Sequence, residues 1–411
     1  VGPITLFDKS FLQALSLNEA VWFDHFFNAV VCPLFYLETL ADLAKTPRAG
    51  RTGEQEVASI ARKAPEKHGT PCIFHSELWL GNLLGFPVPM NSQVPIRGGR
   101  RVKSEGKIGD VVGVAPEIEA FQRWVRGEFF ESEAAQARVW RQSLQAADLR
   151  VVSSGLRTVG IHADGCKELV DVLTRTREFT SDFAIRTDPL QMSLEFAGVS
   201  ASSHNDVMRR HRQLGSPRLG AFSPYAAFAL ELEVFSHLAI GASLVSGDRH
   251  SNKVDLGYLF YLPFCHMFVS SDKLHRRCAP LFLREDQQFV WGPDLKAGLA
   301  ELDEHFGSLP LSERERGLDA FATWPPEEDR FLVTKLFDEH VPRWREVSHD
   351  GLDLTPEQQR DLVARIKAMT ESKDEVPTRD TDTSDFLSIE RSVQKRKGDW
   401  YQLPKNFGSE E

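Results

Sequence analysis

The sequence predicts an α/β fold, a parallel sheet flanked by helices, with a large and mostly helical insertion. Two observations carry this expectation. Short apolar runs, Ile4-Thr5-Leu6-Phe7 and His266-Met267-Phe268-Val269, end at once in polar residues, Asp8-Lys9-Ser10 and Ser270-Ser271-Asp272. Runs of this kind suit strands buried on both faces of a parallel sheet, and the residue just past such a strand sits on the rim where ligands bind. The runs also alternate with helical patterns, whereas the long middle of the chain is mostly helical by pattern.

Composition sets the frame. The chain has 411 residues, 41% hydrophobic and 26% charged, as in an ordinary soluble globular protein. No apolar stretch approaches the roughly 20 residues needed to span a bilayer. The first residues lack the basic start and cleavage site of a signal peptide, so a cytoplasmic location without membrane is the expectation. The five cysteines, Cys32, Cys72, Cys166, Cys265 and Cys278, are widely spaced and form no CxxC pair, which reads as reduced, mostly buried thiols. A formal charge of −10 argues against a chain coated in nucleic acid, but not against an enzyme whose acids gather around metal.

After the first strand, Ser16-Leu17-Asn18-Glu19 has capping-box spacing and opens a helix to about Phe27, with Trp22, Phe23, Phe26 and Phe27 on its apolar face. Ala29-Val30-Val31-Cys32 reads as a second strand stopped by Pro33. The helix Leu34 to Ala44 carries Glu38 and Asp42 on one face. From residue 46 to about 220 the character changes. Arg48 to Lys67 is charged, and Arg97 to Lys107 is a basic loop that either tracks phosphate or is simply solvated. Glu117 to Ala147 is helical, with its aromatics expected in the core, and Arg209-Arg210-His211-Arg212 forms a second basic cluster.

Ser223-Pro224 starts an apolar helix to about Val245. Asn252 is a helix-start residue that would place Asp255 in the first turn of the next helix, which runs on to Pro263 and the strand 266–269. Lys273 opens another helix, and Gln288-Phe289-Val290-Trp291 is a last short strand. Residues 301–370 form a helical extension, and 371–411 a disordered tail or docking segment with Trp400-Tyr401 as its anchor. The core is then 1–45 plus 221–300, with 46–220 inserted.

Four acids stand out: Asp8 and Asp272 ending strands, Glu38 on the helix after the second strand, and Asp255 opening the helix before a later one. In that order and context they resemble the PIN-like nuclease superfamily. Asp8 with Ser10 resembles the family's opening Asp-x-[Ser/Asn], Phe35-Tyr36-Leu37-Glu38 its helical glutamate, and Asp255 to Asp272 its helix-then-strand segment with the third and fourth acids. The resemblance covers a minority of the chain. Compact members have a few tens of residues where about two hundred separate Glu38 from Asp255 here.

The resemblance implies a divalent-metal-dependent endonuclease that hydrolyses phosphodiester bonds in RNA rather than DNA. Asp8, Glu38, Asp255 and Asp272 would bind one or two Mg²⁺ or Mn²⁺ ions. Ser10, Ser271, Lys273, Arg276 and Arg277 would contact substrate. The alternative is an inactive PIN-like scaffold, with the insertion or tail binding a protein partner. A homo-oligomer is compatible with either.

Overall fold

The computed structural model describes residues 2–46, 50–104, 106–181, 187–346, 356–375 and 386–407. Arg48 and Ala49 of the expected charged segment, Glu105 of the expected basic loop, residues 182–186 of the expected insertion, 347–355 of the expected helical extension, and 376–385 and 408–411 of the expected tail lie outside these. In chain order the strands are Ile4–Phe7 (β1), Asn28–Val31 (β2), Gly69–Pro71 (β3), Arg100–Ser104 (β4), Lys107–Val112 (β5), Met267–Ser270 (β6), Gln288–Trp291 (β7), Phe386–Ile389 (β8), Arg396–Lys397 (β9) and Trp400–Tyr401 (β10).

An all-parallel five-stranded sheet, ordered β3-β2-β1-β6-β7, forms the centre, and the protein is therefore α/β. The order changes direction at β1: the chain moves outward to β2 and β3 on one side, then returns to lay β6 and β7 on the other. Such a reversal leaves a crevice at the carboxyl ends of the two middle strands. The β1–β6 register pairs Leu6 with Phe268 and Phe7 with Val269. Asp8 therefore lies level with Ser270, and its N–H donates to the Val269 carbonyl at 3.3 Å.

Local chemistry fixes the helices around this rim. Asp8 caps helix α1 (Lys9–Ala14) by accepting from the Phe11 N–H. Ser16 and Glu19 form the full capping box of α2 (Leu17–Phe26), and Pro33 occupies the first turn of α3 (Pro33–Ala41). Phe7 packs edge-on against Phe23 of α2 at 5.5 Å and Phe35 of α3 at 5.0 Å, which anchors the end of β1 from both helices.

Several boundaries differ from the sequence reading. The edge strand β3 comes from inside the stretch 46–220, because three residues ending in Pro71 carry no strand pattern of their own. The expected basic loop 97–107 instead supplies β4 and the start of β5 in a hairpin that runs to Val112, and β5 pairs in parallel with β8 on its other edge. One contiguous hydrophobic core holds Leu6 and Val269 of the sheet together with Trp124, Leu149, Val172 and Val207 of the insertion, so the insertion shares the sheet's core. Asp255 lies in the second turn of its helix, Ser251–Gly257, not at the start, since the helix begins after His250. Trp400 is buried against Trp22 with ring centroids 4.6 Å apart, and both indoles donate to Asp303. Among the described residues no helix is long and apolar enough to cross a membrane.

Candidate active site

Asp8 sits at the crevice, and both of its oxygens are engaged. Oδ1 accepts from Phe11 N at 2.9 Å; Oδ2 accepts from Ser10 Oγ at 2.6 Å and Ser270 Oγ at 2.9 Å, with His275 Nδ1 at 3.4 Å. Burial disfavours its charge, yet His275 and these donors together hold its pKa below the ordinary carboxylate value.

His275, on the helix Lys273–Cys278, is fully buried at the centre of the group. Its Nε2 faces the Asp255 carbonyl oxygen at 2.6 Å, which can only accept. Its Nδ1 lies 2.7 Å from Ser270 Oγ, whose proton goes to Asp8. Both nitrogens therefore face acceptors, as an imidazolium requires. Burial alone would lower the His275 pKa, but Asp8 and Asp255 raise it above the ordinary value.

Glu38 reaches the same place from α3. Its Oε2 accepts from Tyr258 O–H at 2.5 Å, and Lys9 Nζ donates to its backbone carbonyl at 2.9 Å while pairing with Asp42 at 2.6 Å. Burial raises the Glu38 pKa and Asp8 adds to the rise, against Lys9 and Tyr258. Asp255 is the least satisfied of the four. Among the described residues its Oδ2 is buried without a hydrogen-bond partner, and Arg249 stands 3.9 Å away. Burial, with Glu38 and Asp272 close enough to add repulsion, pushes its pKa up to about 7. Asp272 caps its helix by accepting from Leu274 N at 2.6 Å, and its Oδ2 is 3.5 Å from Arg249.

All four predicted acids thus gather at one rim, where their charges act on one another or on His275. Asp8, Glu38 and Asp272 nevertheless turn to protein donors, and among the described residues no group of three or more His, Cys, Asp or Glu is arranged to hold a metal ion.

Comparison of the chain with family models, curated proteins and solved structures yields no match. The site is therefore read on its own chemistry.

The five expected substrate contacts divide. Ser10 serves Asp8. Ser271 and the exposed Lys273 and Arg277 line an open groove of about 360 Å³ beside Asp272. Arg277 also donates to the Leu244 carbonyl at 3.2 Å. Arg276 turns away and stacks over Trp291 at 4.9 Å. Four participants escaped the sequence reading: Ser270, His275, Tyr258 and Arg249. The signals were thin. Ser270 sits two residues after Phe268 on a buried strand, and His275 follows the Asp272 cap by one turn, which points it back at the strand end.

Proposed function

We propose that this protein is a PIN-like, divalent-metal-dependent nuclease that cuts RNA in the cytoplasm. The observation that supports the reading is the convergence of Asp8, Glu38, Asp255 and Asp272, drawn from four separate elements, on the crevice where the strand order reverses. Their donor atoms are all carboxylate oxygens, the set that Mg²⁺ and Mn²⁺ prefer. The orphaned buried Oδ2 of Asp255 and its pKa of about 7 are what a carboxylate lacking its cation displays. Among the described residues the four carboxylates are not arranged around one point, so Asp8, Glu38, Asp255 and Asp272 would have to turn toward one another to hold such an ion. When bound it would lower the pKa of an attacking water and stabilise the leaving oxygen. Ser10 and Ser270 orient Asp8, Tyr258 orients Glu38, and Lys273 and Arg277 offer charge to the strand being cut.

A specific observation favours a second reading, a scaffold that has kept the fold without the chemistry. His275, with both ring nitrogens facing acceptors, already stabilises the Asp8 carboxylate. Calorimetric titration with Mn²⁺ separates the two, because a scaffold needs no tight site.

The direct test is cutting. The purified chain with Mn²⁺ or Mg²⁺ should cleave single-stranded or structured RNA, and Asp8→Asn or Asp272→Asn should each reduce cleavage to background. Asparagine caps a helix about as well as aspartate, so α1 and the helix after Asp272 should survive both changes. Cleavage that persists in both variants would sink the site.

A further inference from the structure

The groove beside the acids contains a cation that no expectation assigned. Arg249 stands in the loop before the helix Ser251–Gly257, its side chain 60% exposed. One guanidinium nitrogen lies 3.5 Å from Asp272 Oδ2 and 3.9 Å from Asp255 Oδ2. Both distances exceed the roughly 2.7–2.9 Å of a well-made arginine–carboxylate pair. Its Nε, by contrast, is tied to Ser251 Oγ at 2.9 Å. The stem is thus anchored while the terminal donors stand loosely over two carboxylates.

The walls around it carry three cations. Arg249, Lys273 and Arg277 line the groove of about 360 Å³ together with Ser246, Asn252 and Asp272. Asn252 holds the Ser246 carbonyl at 2.8 Å, and Arg277 holds that of Leu244, so the loop 244–246 is pinned to the rim. Three cations face one carboxylate here, whereas the crevice next to it is acidic. A chain with one negative charge per unit, passing from the crevice into the groove, would meet metal-compatible oxygens first and cations next.

Resting on the nuclease reading above, we infer that Arg249 grips a non-reacting backbone phosphate of the RNA next to the bond that is cut, exchanging its long ion pair with Asp272 for that phosphate. The planar guanidinium fork matches two phosphate oxygens, which a lysine in the same place would not. Arg249 thereby has two roles. Without substrate it partly neutralises Asp255 and Asp272; with substrate it sets the register of the strand.

The test measures binding without cutting. Full-length protein is titrated in EDTA against a short fluorescein-labelled oligouridylate, and anisotropy is followed over a range of salt. Arg249→Ala should weaken binding about tenfold near 0.1 M salt and lower the slope of log K against log salt by about one. Arg249→Lys should keep the slope but lose part of the affinity. Asp272→Asn should bind several-fold tighter than wild type, because Arg249 loses the nearer of its two competing carboxylates. Thermal melting of each variant confirms the fold, and the exposed position of Arg249 makes it tolerant of change. Wild-type binding that Arg249→Ala leaves unaltered overturns the role of Arg249 alone. A wild-type protein that binds no oligonucleotide in EDTA overturns this inference, whereas failure to cleave RNA with Mn²⁺ or Mg²⁺ is what overturns the nuclease reading.

Discussion

Asp255 is held where a carboxylate is poorly tolerated. Burial, reinforced by Glu38 and Asp272, takes its pKa from 3.8 to about 7 in spite of His275 and Arg249. A carboxyl that holds its proton more tightly when folded contributes stability fully below the unfolded value, and that contribution is lost as pH rises through about 7. The gap corresponds to about 4 kcal/mol as an upper bound. Asp255→Asn is therefore expected to raise the melting temperature most at about pH 8, by less than half as much at about pH 5, and to abolish metal-dependent cutting. Equal melting shifts at both pH values would show that the carboxylate is not strained. At this scale the acids were legible because each stands at a strand end or one helix away. Ser270, Tyr258 and His275 were not, since a buried serine, tyrosine or histidine looks like packing until its partners from distant segments are known.

Between elements, the rim depends on how closely β6 and β7 turn into their helices. Gly292 begins the helix Gly292–Gly307, and a Cβ there would fall 2.2 Å from Ser271 Oγ and 3.1 Å from the Ser270 carbonyl carbon. Gly292→Ala should push Ser271 and the Asp272 turn away from β1, costing about 1–3 kcal/mol. It should also lower RNA cleavage more than Ser271→Ala does, as parallel urea melts and cleavage assays would reveal; equal losses would place the effect in the hydroxyl rather than the turn. Four of the five central strands could be read from apolar runs bounded by polar or proline stops. β3 could not, having only Gly69, Thr70 and Pro71, and the hairpin β4–β5 was masked by its own charges, Arg100, Arg101, Lys103 and Lys107.

Across the whole molecule, the last described segment works as a strap. Residues 386–389 extend the hairpin sheet, Arg391 donates to the Gly69 carbonyl on the outer side of β3, Lys397 holds the Ala64 carbonyl at 2.8 Å, and Trp400 is buried on Trp22. The strap thus covers the exposed edge of the central sheet, a position that otherwise invites pairing with another chain. Trp400→Ala should cost about 3–5 kcal/mol and raise amide exchange first in 391–403 and then in β3. Uniform exchange across the chain would mean that the strap unfolds only with the core. The sequence offered Trp400-Tyr401 as an anchor but not the path of the segment, because its polar composition suggested disorder, whereas one indole and a few lysine and arginine contacts suffice to dock it.

The reversal of strand order also matters before the chain is complete. β1 is the middle strand, but its second neighbour begins 260 residues after Phe7, at Met267. At about 5–20 residues per second, a ribosome would leave that flank of β1 unpaired for roughly 10–50 s after its synthesis. During that interval Leu6 and Phe7 present an apolar edge that only a chaperone, or the emerging helices of the insertion, can shield. The acidic crevice is therefore among the last features of the nascent chain to form, and no metal could be held there until β6 has arrived.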